Sequence, residues 1–303
     1  MKTQCRDYMH EPLVRSLGRL PADPPQVLTV LTWNVERGTK FEAIAEALAG
    51  PLRADLYALQ EVDRYTRRSG DQDLPEKIAR KLGVDYAFGT EFEELAQRGG
   101  FDLPLHGQVI LSRLPIRRAR ILRFQYQPHN WGGWWKPRLA CLQPRRGGRM
   151  ALVAEIEWDG ATVVFYDAHL ESQASDHDRA RQMGEVLHDL WPRYAPGTPI
   201  IIAGDFNTKE EHESAAVRLL RAAAFDDVLE RAGGDLHTSP KSRRRLDWIF
   251  VRDLAAHGAL IHPLSISDHY PITAKITPAH HAESVTDGAW AGQGRSEGGR
   301  NES

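Results

Sequence analysis

Cysteine is scarce in this sequence, which excludes two common ways of stabilising a protein. The chain has 303 residues but only two cysteines, Cys5 and Cys141. Two thiols cannot form the disulfide framework of a small secreted domain, and no cluster of cysteine and histidine has zinc-finger spacing. We therefore expect a cytoplasmic protein that folds around a hydrophobic core.

Long apolar runs are also missing. No stretch approaches the ~20 apolar residues of a membrane-spanning helix, and residues 1–26 lack the apolar segment of a signal peptide. Hydrophobic residues make up 41% of the chain and charged residues 26%, which is typical of globular proteins. This length and composition predict one large domain.

The chain as a whole has no strong excess of either charge. Its formal net charge is −2, so overall charge gives no reason to expect binding to nucleic acid or to a membrane. Residues 103–154, however, contain no acidic residue at all, and we call them the acid-free segment. The basic residues and tryptophans of this segment are Arg113, Arg117, Arg118, Arg120, Arg123, Trp131, Trp134, Trp135, Lys136, Arg138, Arg145, Arg146 and Arg149.

The acid-free segment has two interpretations. Its arginines could lie on a solvated strand face with aromatic packing beside them. Alternatively, they could form a basic, aromatic surface that attracts a polyanion and stacks or wedges against it. A second positive run, residues 241–245, ends at Arg245. On the second interpretation we expect Trp134, Trp135, Arg138 and Arg245 to contact the substrate.

Short β-rich runs alternate with a few helical patterns along the chain. Residues 27–33 are predicted to form a strand, residues 41–48 a helix that stops before Gly50 and Pro51, and residues 56–59 a buried strand. These elements predict a strand-helix-strand unit. Further strands are predicted at 84–89, 107–112, 116–124, 138–143, 150–158, 161–168, 199–204, 246–251 and 271–276, and further helices at 174–191 and 211–224.

Many strands with few helices predict sheets that pack on each other, with the helices outside. The polar residues 1–26 are expected to form an N-terminal arm, and residues 27–277 the folded domain. Residues 278–303 are rich in glycine, serine, glutamate and histidine, so we expect a disordered tail there.

Polar side chains recur where the predicted strands end. Asp205 and Asn207 follow the apolar run 199–203. Because Gly-Asp-x-Asn is also a common turn and helix cap, this pair alone is a modest signal. The same pattern recurs at Asn34, Glu61, His169, Asp247, Asp268 and His269. Strand ends of a layered fold converge on one rim, so we expect these side chains to meet.

Carboxylates, amides and histidines without cysteine suit a hard divalent cation better than zinc. Magnesium takes oxygen ligands and keeps coordination positions for water and for substrate phosphate. The set has too few ligands to enclose an ion by protein alone, as expected where phosphate completes the coordination. These residues therefore predict Mg²⁺, with Mn²⁺ as a substitute, and a phosphate-ester substrate.

Several short motifs carry these residues in a definite order. They are Trp33-Asn34-Val35-Glu36, Gln60-Glu61-Val62-Asp63, Gly204-Asp205-Phe206-Asn207, Leu246-Asp247-Trp248-Ile249-Phe250 and Ser267-Asp268-His269-Tyr270-Pro271. In these motifs the chain resembles the endonuclease/exonuclease/phosphatase superfamily, the deoxyribonuclease-like phosphoesterases, over residues 27–277. The resemblance implies an α+β fold, a four-layered α/β/β/α sandwich of two mostly antiparallel sheets packed face to face with helices outside. It also implies a metal-dependent site at one rim.

The resemblance assigns metal-side roles to Glu61 and Asn34, with Glu61 as the principal ligand. Asp268 resembles an auxiliary partner of the metal or of water.

The resemblance also assigns catalytic roles. Asp205 resembles the group that orients or deprotonates the attacking water, and Asn207 the amide that holds phosphate and that carboxylate in place. His169 and His269 resemble the two phosphate-binding histidines, with Asp247 as the partner of His269. An aspartate that accepts a hydrogen bond from an imidazole favours its charged form, which could stabilise charge on the reacting phosphorus. The implied reaction is a one-step in-line displacement by water, without a covalent intermediate.

Departures from the family pattern bear on the substrate. Gln108 stands where asparagine is usual, and we expect this longer amide to contact substrate. His169-Leu170 replaces the Tyr-x-Pro-Asn pattern of abasic-site repair members, which argues against an abasic-site endonuclease. Arg179 and Gln182 have the family's spacing on the following helix, and we expect them to brace that helix.

Three functions remain open at this point. The first is a Mg²⁺-dependent phosphodiesterase acting on nucleic acid, which the acid-free segment favours. The second is a phosphoesterase of small or lipid phosphates, similar to an inositol phosphatase or sphingomyelinase, in which Trp134 and Trp135 would insert at a membrane interface. The third is a non-catalytic binding module, against which the intact Glu61, Asp205 and His269 count.

Overall fold

A computed structural model describes residues 7–17, 23–129, 144–209 and 214–279. Its strands are β1 Leu13–Arg15, β2 Leu28–Arg37, β3 Leu56–Arg64, β4 Asp85–Glu94, β5 Leu105–Ser112, β6 Ile116–Arg123, β7 Arg145–Gly147, β8 Met150–Trp158, β9 Ala161–His169, β10 Ile200–Asp205, β11 Asp226–Asp227, β12 Asp247–Arg252, β13 Leu254–Ile261 and β14 Ile272–Pro278. Its α-helices are α1 Phe41–Ala49, α2 Leu74–Leu82, α3 Asp176–Leu190 and α4 Ala215–Ala222. The strand predicted at 138–143 and residues 280–303 of the predicted tail lie outside the described residues.

The strands form two mixed sheets. The first sheet has the order β1-β4-β5-β3-β2-β14-β13, with β7 paired to β4, and the second has the order β11-β12-β10-β9-β8-β6. The pairs β2–β3 and β9–β10 are parallel, and the other named pairs are antiparallel. The predicted sandwich of mostly antiparallel sheets is therefore confirmed.

Apolar side chains on both faces of each sheet explain the four layers. Because side chains alternate along a strand, Val30 of β2 packs between the two sheets, while Leu31 packs with Ile44 of α1 and Ile78 of α2. In the same way Ile201 of β10 faces the space between the sheets. Its neighbours on β10 face outward and pack with α3 and α4. The order of layers is thus helices, first sheet, second sheet, helices.

The predicted strand-helix-strand unit is β2-α1-β3, and it aligns two strand ends. The two strands are parallel, with Asn34 opposite Gln60. Parallel strands joined by a helix end at the same edge of a sheet. Asn34 and Glu61 therefore reach the same rim.

Helix α3 braces the segment that follows β9. It begins with a capping box in which Ser175 and Asp178 bond each other's backbone N–H groups. From this helix the buried Arg179 donates to the carbonyl oxygen of Ala174 at 2.8 Å. Gln182 accepts from the N–H of Glu171 at 2.9 Å. These contacts agree with the bracing role expected for Arg179 and Gln182.

Some elements were not predicted from the sequence. Within the expected N-terminal arm, β1 pairs with β4 at the edge of the first sheet. Helix α2 is capped at its start by Asp73, whose side chain accepts from the N–H of Glu76, and it is followed by Gly83 in the left-handed region at φ 66°. Strand β13 forms the other edge of the first sheet. None of the helices in the described part of the chain is long and apolar enough to cross a bilayer.

Candidate active site

The two sheets bring polar strand ends to one rim. Asn34 and Glu61 come from β2 and β3 of the first sheet. In the second sheet, Asp205 at the end of β10 lies opposite Asp247 at the start of β12. A hydrogen bond joins the sheets, because Nδ2 of Asn34 donates to Oδ2 of Asp205 at 3.0 Å. This bond brings strand ends of the two sheets together at the rim.

Asp205 lies at the centre of this group and is buried. Its Oδ1 accepts from the backbone N–H of Asn207 at 2.9 Å. Its Oδ2 is 3.6 Å from Nε2 of His169 and 3.8 Å from Nε2 of His269. A carboxylate between two imidazoles can take a proton from water while the rings face the same small volume.

A close approach of β9 and β10 puts Asp205 there. Gly204 has φ 137°, and a Cβ on this residue would lie 2.1 Å from the carbonyl oxygen of Ala168. Only glycine tolerates both conditions. Gly204 therefore permits His169 and Asp205 to end adjacent strands at the same level.

The loop that carries His269 is tied to β2. The carbonyl oxygen of His269 accepts from Nε1 of Trp33 at 2.9 Å. Its N–H donates to Oγ of Ser267 at 3.2 Å, and that hydroxyl donates to the carbonyl oxygen of Asn34 at 2.7 Å. The first sheet therefore positions His269 beside Asp205 and Asp247 of the second sheet.

His269 also pairs with a buried carboxylate. Its Nδ1 is 2.7 Å from Oδ2 of Asp247. Burial alone would lower the pKa of His269, but the charges of Asp247 and Asp205 outweigh burial and raise that pKa to about 10. The ring is therefore an imidazolium at neutral pH, with its second N–H directed toward Asp205.

His169, at the end of β9, has a different set of neighbours. Its Nδ1 is 3.4 Å from Oε2 of Glu91, and Nη1 of Arg149 lies 3.0 Å from the ring nitrogens. Burial and the positive Arg149 lower the pKa of His169, but Glu91 and Asp205 raise it by more. Two carboxylates thus face each histidine, and His169 also contacts a guanidinium.

Glu61 has an unusual backbone conformation. Its φ of 56° lies in the left-handed region, at an irregularity in the pairing of β3 with β5. Such conformations are uncommon for glutamate and concentrate at functional sites. Burial opposes the ionised form, but the charges of His106, His169 and Arg149 hold the pKa of Glu61 below its usual value. An ionised carboxylate beside the Asn34 amide fits a hard divalent cation.

Two further predicted residues lie at the edges of the site. Asp268 is exposed, directly before His269. Asn207 has φ 51°, and its Nδ2 donates to the carbonyl oxygen of Leu170 at 3.0 Å. Asn207 thus ties the chain after β10 to the chain after β9, one residue beyond His169.

Asp205, Asp247 and His269 offer a second group of possible ligand atoms, all within 4.8 Å of one another. A metal would need a neutral imidazole. The carboxylate of Asp247, 2.7 Å from Nδ1 of His269, favours the charged imidazolium instead. Glu61 is therefore the better candidate ligand.

Two of the residues predicted to contact substrate, Gln108 and Arg245, are buried. Nε2 of the buried Gln108 donates to the carbonyl oxygen of Met150 at 3.3 Å, between the sheets. The buried Arg245 makes two hydrogen bonds to the carboxylate of Asp227, at 2.7 and 2.6 Å, and its guanidinium lies 3.6 Å from the ring centroid of Trp248. These placements favour structural roles. Trp134, Trp135 and Arg138 lie outside the described residues.

In the described residues of the acid-free segment, 103–129 and 144–154, the arginines do not form the basic surface of the second interpretation. Among its described residues, most arginines pair with acidic residues from other parts of the chain. These pairs are Arg113–Asp55, Arg117–Glu157, Arg120–Asp189, Arg145–Glu94, Arg146–Glu93 and Arg149–Glu91. Arg123 donates instead to backbone carbonyl oxygens. Strands β4 and β8, helix α3 and Asp55 directly before β3 supply the acidic partners, so much of the charge imbalance along the sequence is balanced in the fold.

Sequence reasoning missed several buried polar residues below the rim. Glu91 and Arg149 contact His169 but belong to no recognised motif. Asp167 is fully buried, and its Oδ1 accepts from Nε2 of Gln60 across the sheets at 2.7 Å. Strand alternation could have revealed Asp167, because it lies two residues before His169 and so shares its face. Glu91 gave no such signal, because strand β4 was predicted to end at residue 89.

A model of the Endonuclease/Exonuclease/phosphatase family matches residues 31–269 of this chain. The chain belongs to this family. The matched region runs from β2 to His269 and includes every residue of the rim described above. The fold is therefore that of the family's phosphoesterases, and its members' dependence on divalent metals fits the acidic cluster at the rim. Among curated proteins no match was found.

Several solved structures share the fold. An endonuclease/exonuclease/phosphatase from Beutenbergia cavernae DSM 12333 is 19% identical, covers 84% of this chain and 72% of its own, and has a TM-score of 0.65. The human Nocturnin catalytic domain with bound sulfate anion is 16% identical, with coverages of 89% and 98% and a TM-score of 0.64. The mannosyl-6-phosphatase Bt3783 from Bacteroides thetaiotaomicron VPI-5482 is 16% identical, with coverages of 82% and 99% and a TM-score of 0.59. At these identities the similarity establishes the fold alone.

Proposed function

We propose that this protein is a Mg²⁺-dependent phosphodiesterase that hydrolyses nucleic acid by in-line attack of water. The observation that carries the proposal is the position of Asp205, whose Oδ2 faces Nε2 of both His169 and His269. One carboxylate between two imidazoles can receive a proton from water while hydrogen-bond donors face the developing charge on phosphate. Glu61 and Asn34, on the adjoining strands, fit the metal.

Each residue of the rim has a task in this reaction. Asp205 accepts the proton of the attacking water, and the N–H of Asn207 holds that carboxylate in place at 2.9 Å. His269, charged through its pairing with Asp247, donates to a non-bridging oxygen, and His169 donates to another. Mg²⁺ held by Glu61, with Asn34 and Asp268 beside it, would neutralise charge on the phosphate oxygens.

Exposed cations on the rim loops favour a polyanionic substrate. They lie at the end of β2, in the segment that follows β3, in the β4–β5 loop and directly before β12. These residues are Arg37, Arg67, Arg98, Lys241 and Arg244. An extended polyanion would contact several of them at once, whereas a small phosphate would contact few. The described arginines of the acid-free segment are mostly paired, so the preference for a polyanion is carried by these loop cations instead.

Hydrolysis assays with and without a chelator test the proposal. Purified protein with Mg²⁺ is incubated with plasmid DNA, RNA, phosphoinositides and sphingomyelin. We expect cleavage of nucleic acid that stops on addition of EDTA and returns with Mg²⁺ or Mn²⁺. Release of a headgroup with intact nucleic acid would show instead a phosphoesterase of small or lipid phosphates. No hydrolysis of any substrate would favour a binding module.

Asp205→Asn tests the chemistry itself. Because general-base catalysis typically contributes about 10²- to 10⁴-fold, we expect turnover to fall by that factor with the fold retained. Asp159→Asn is the matched control, since Asp159 is exposed in the β8–β9 turn, at the other end of the strand from His169. Near-normal turnover of Asp205→Asn would refute the mechanism.

A further inference from the structure

Asp63, two residues beyond Glu61 on β3, is a carboxylate that the proposed reaction does not use. It belongs to the same short motif, Gln60-Glu61-Val62-Asp63. Its side chain is fully buried, and its backbone lies opposite His106 of β5. The function proposed above gives a role to Glu61 but none to Asp63.

Four hydrogen bonds converge on the carboxylate of Asp63. Oδ1 accepts from Nη2 of Arg68 and from Nδ1 of His106, both at 2.7 Å. Oδ2 accepts from Nε of Arg68 and from Oγ1 of Thr66, both at 2.6 Å. Hydrogen bonds that involve ionised groups are short and strong. We call Asp63, Thr66, Arg68 and His106 the Asp63 cluster, and it joins the chain after β3 to β5.

The Asp63 cluster begins directly after the irregular part of β3 that carries Glu61. Leu59 pairs with Val109 of β5 and Val62 with Gly107, so β3 has one residue more than β5 between these pairs. An extra residue of this kind bends a strand and redirects a side chain. At φ 56° Glu61 is in the left-handed region. A non-glycine residue keeps this conformation only where its surroundings determine it.

Contacts on both sides of Glu61 supply such surroundings. On the preceding side, Nε2 of Gln60 donates to Oδ1 of Asp167 at 2.7 Å and to the carbonyl oxygen of Ala58 at 3.1 Å. On the following side, the Asp63 cluster holds β3 against β5. The backbone of Glu61 is therefore held between two residues whose buried side chains are fixed by hydrogen bonds.

We propose that Asp63 is a positioning residue, whose hydrogen bonds to Arg68 and His106 hold the carboxylate of Glu61 in the orientation that binds the divalent cation. The inference rests on the metal dependence proposed above. Residues that orient a metal ligand typically contribute about 10- to 100-fold to metal affinity. Loss of the Asp63 cluster should therefore weaken metal binding although no ligand is removed.

The dissociation constant of Mn²⁺ tests the inference without any activity measurement. Metal-free full-length protein is titrated with Mn²⁺ by calorimetry and by electron paramagnetic resonance, for the wild type and Asp63→Asn. An asparagine amide puts N–H donors where Asp63 has only acceptors, so it cannot satisfy Arg68 and His106 together. We expect the dissociation constant of Asp63→Asn to rise by about 10- to 100-fold.

Arg68→Met separates positioning from a simple effect of charge. Asp63→Asn removes a negative charge, which by itself would weaken the binding of a cation. Arg68→Met removes a positive charge, which by itself would strengthen that binding. If Arg68 acts through the position of Glu61, the dissociation constant of Mn²⁺ should rise in Arg68→Met as well. Tighter or unchanged binding in this variant would refute the inference.

Thr66→Val is a milder variant, which keeps the test decisive if Asp63→Asn folds poorly. Valine has nearly the shape of threonine and changes no charge, but it removes one of the four hydrogen bonds to Asp63. We expect the dissociation constant of Mn²⁺ to rise by about 2- to 10-fold, the range for a single hydrogen bond. Binding equal to that of the wild type would count against the role of Asp63.

Asp189→Asn is the matched control, because Asp189 is a similar buried acceptor away from the rim. Its side chain is 7% exposed, in the last turn of α3. It accepts from Nη1 of Arg120 at 3.0 Å, from the hydroxyl of Tyr166 at 2.9 Å and from Nε of Arg193 at 2.9 Å. Asp189→Asn and Asp63→Asn should both lower the thermal unfolding midpoint. Only Asp63→Asn should weaken Mn²⁺ binding, and an equal loss in both would reduce Asp63 to a purely structural role.

The failure of this inference and the failure of the proposed function are distinguishable. A wild type that binds Mn²⁺ no more tightly than Asp63→Asn and Arg68→Met would refute the role of Asp63 but leave a metal-dependent phosphoesterase. No ion bound to the wild type, with hydrolysis unaffected by EDTA, would refute the metal dependence and with it the inference.

Discussion

The two histidines of the rim each lie between two carboxylates, but His169 also contacts a guanidinium. Nε2 of His169 and Nε2 of His269 are 3.6 and 3.8 Å from the same oxygen of Asp205. On its other side His269 has the carboxylate of Asp247, whereas His169 has both Glu91 and the guanidinium of Arg149. The same residue type is therefore placed in two different electrostatic environments within one site.

This difference indicates a division of roles between the rings. The charges of Asp247 and Asp205 raise the pKa of His269 to about 10, which suits this ring to stabilising negative charge on phosphate. The cation beside His169 limits how far its pKa is raised. His269 depends on one partner, Asp247, and His169 on a network. The predictions below test that asymmetry, from the largest expected effect to the smallest.

Double-mutant cycles should separate the two histidines. We expect His269→Gln and Asp247→Asn each to lower kcat/KM by about 10²-fold or more, by analogy with loss of a preorganised donor. Because Asp247 acts through His269, the double variant should be little worse than His269→Gln alone. Asp247→Asn combined with His169→Gln should be closer to additive. Steady-state kinetics gives the coupling energy of each cycle. Equal coupling energies would show that the two histidines do not differ in their dependence on Asp247.

Asp167, below His169, should make stability depend on pH. Burial raises the pKa of Asp167 to about 8, although the hydrogen bond from Gln60 opposes it. The native state therefore keeps a proton that the unfolded chain loses near pH 4. The free energy of unfolding should fall between about pH 4 and 8, by at most about 1.4 kcal/mol per pH unit, and then level off.

Asp167→Asn should remove this dependence, because asparagine does not titrate and its oxygen still accepts from Gln60. Urea unfolding at pH 5 and pH 8 gives the measurement. The variant should lose less stability than the wild type between these values, while the exposed control Asp159→Asn should behave as the wild type does. A wild type with the same stability at both values would contradict the neutral form of Asp167.

Gly204→Ala should weaken the approach of β9 to β10 that aligns His169 with Asp205. The φ of 137° and the distance of 2.1 Å from a new Cβ to a backbone oxygen leave no room for a methyl group. We expect a loss of more than about 1 kcal/mol in the free energy of unfolding.

Gly184→Ala is the matched control. A Cβ on Gly184, in α3, meets nothing within 4 Å, so alanine should stabilise by roughly 0.5–1 kcal/mol. Equal effects of the two substitutions would show that the close approach is unimportant.

Much of this fold could be predicted from local patterns. The β2-α1-β3 unit and the strands β8, β9, β10 and β12 follow from apolar runs with clear stops, because alternation and helical spacing are local properties. Helix α2 was missed although Asp73 and Gly83 mark its ends, and β13 was missed because its sequence mixes small and polar residues. The motif residues were found since each ends an apolar run.

The sequence by itself determined the sandwich, its family and the set of polar residues that end its strands, because these depend on patterns a few residues long. Only the tertiary structure decided which charges meet. It pairs most described arginines of the acid-free segment with distant acids, buries Arg245 against Asp227, and puts Arg149 between Glu91 and His169. Partners in a sheet come from strands far apart in sequence, so neither charge balance nor the environment of a histidine can be read along the chain.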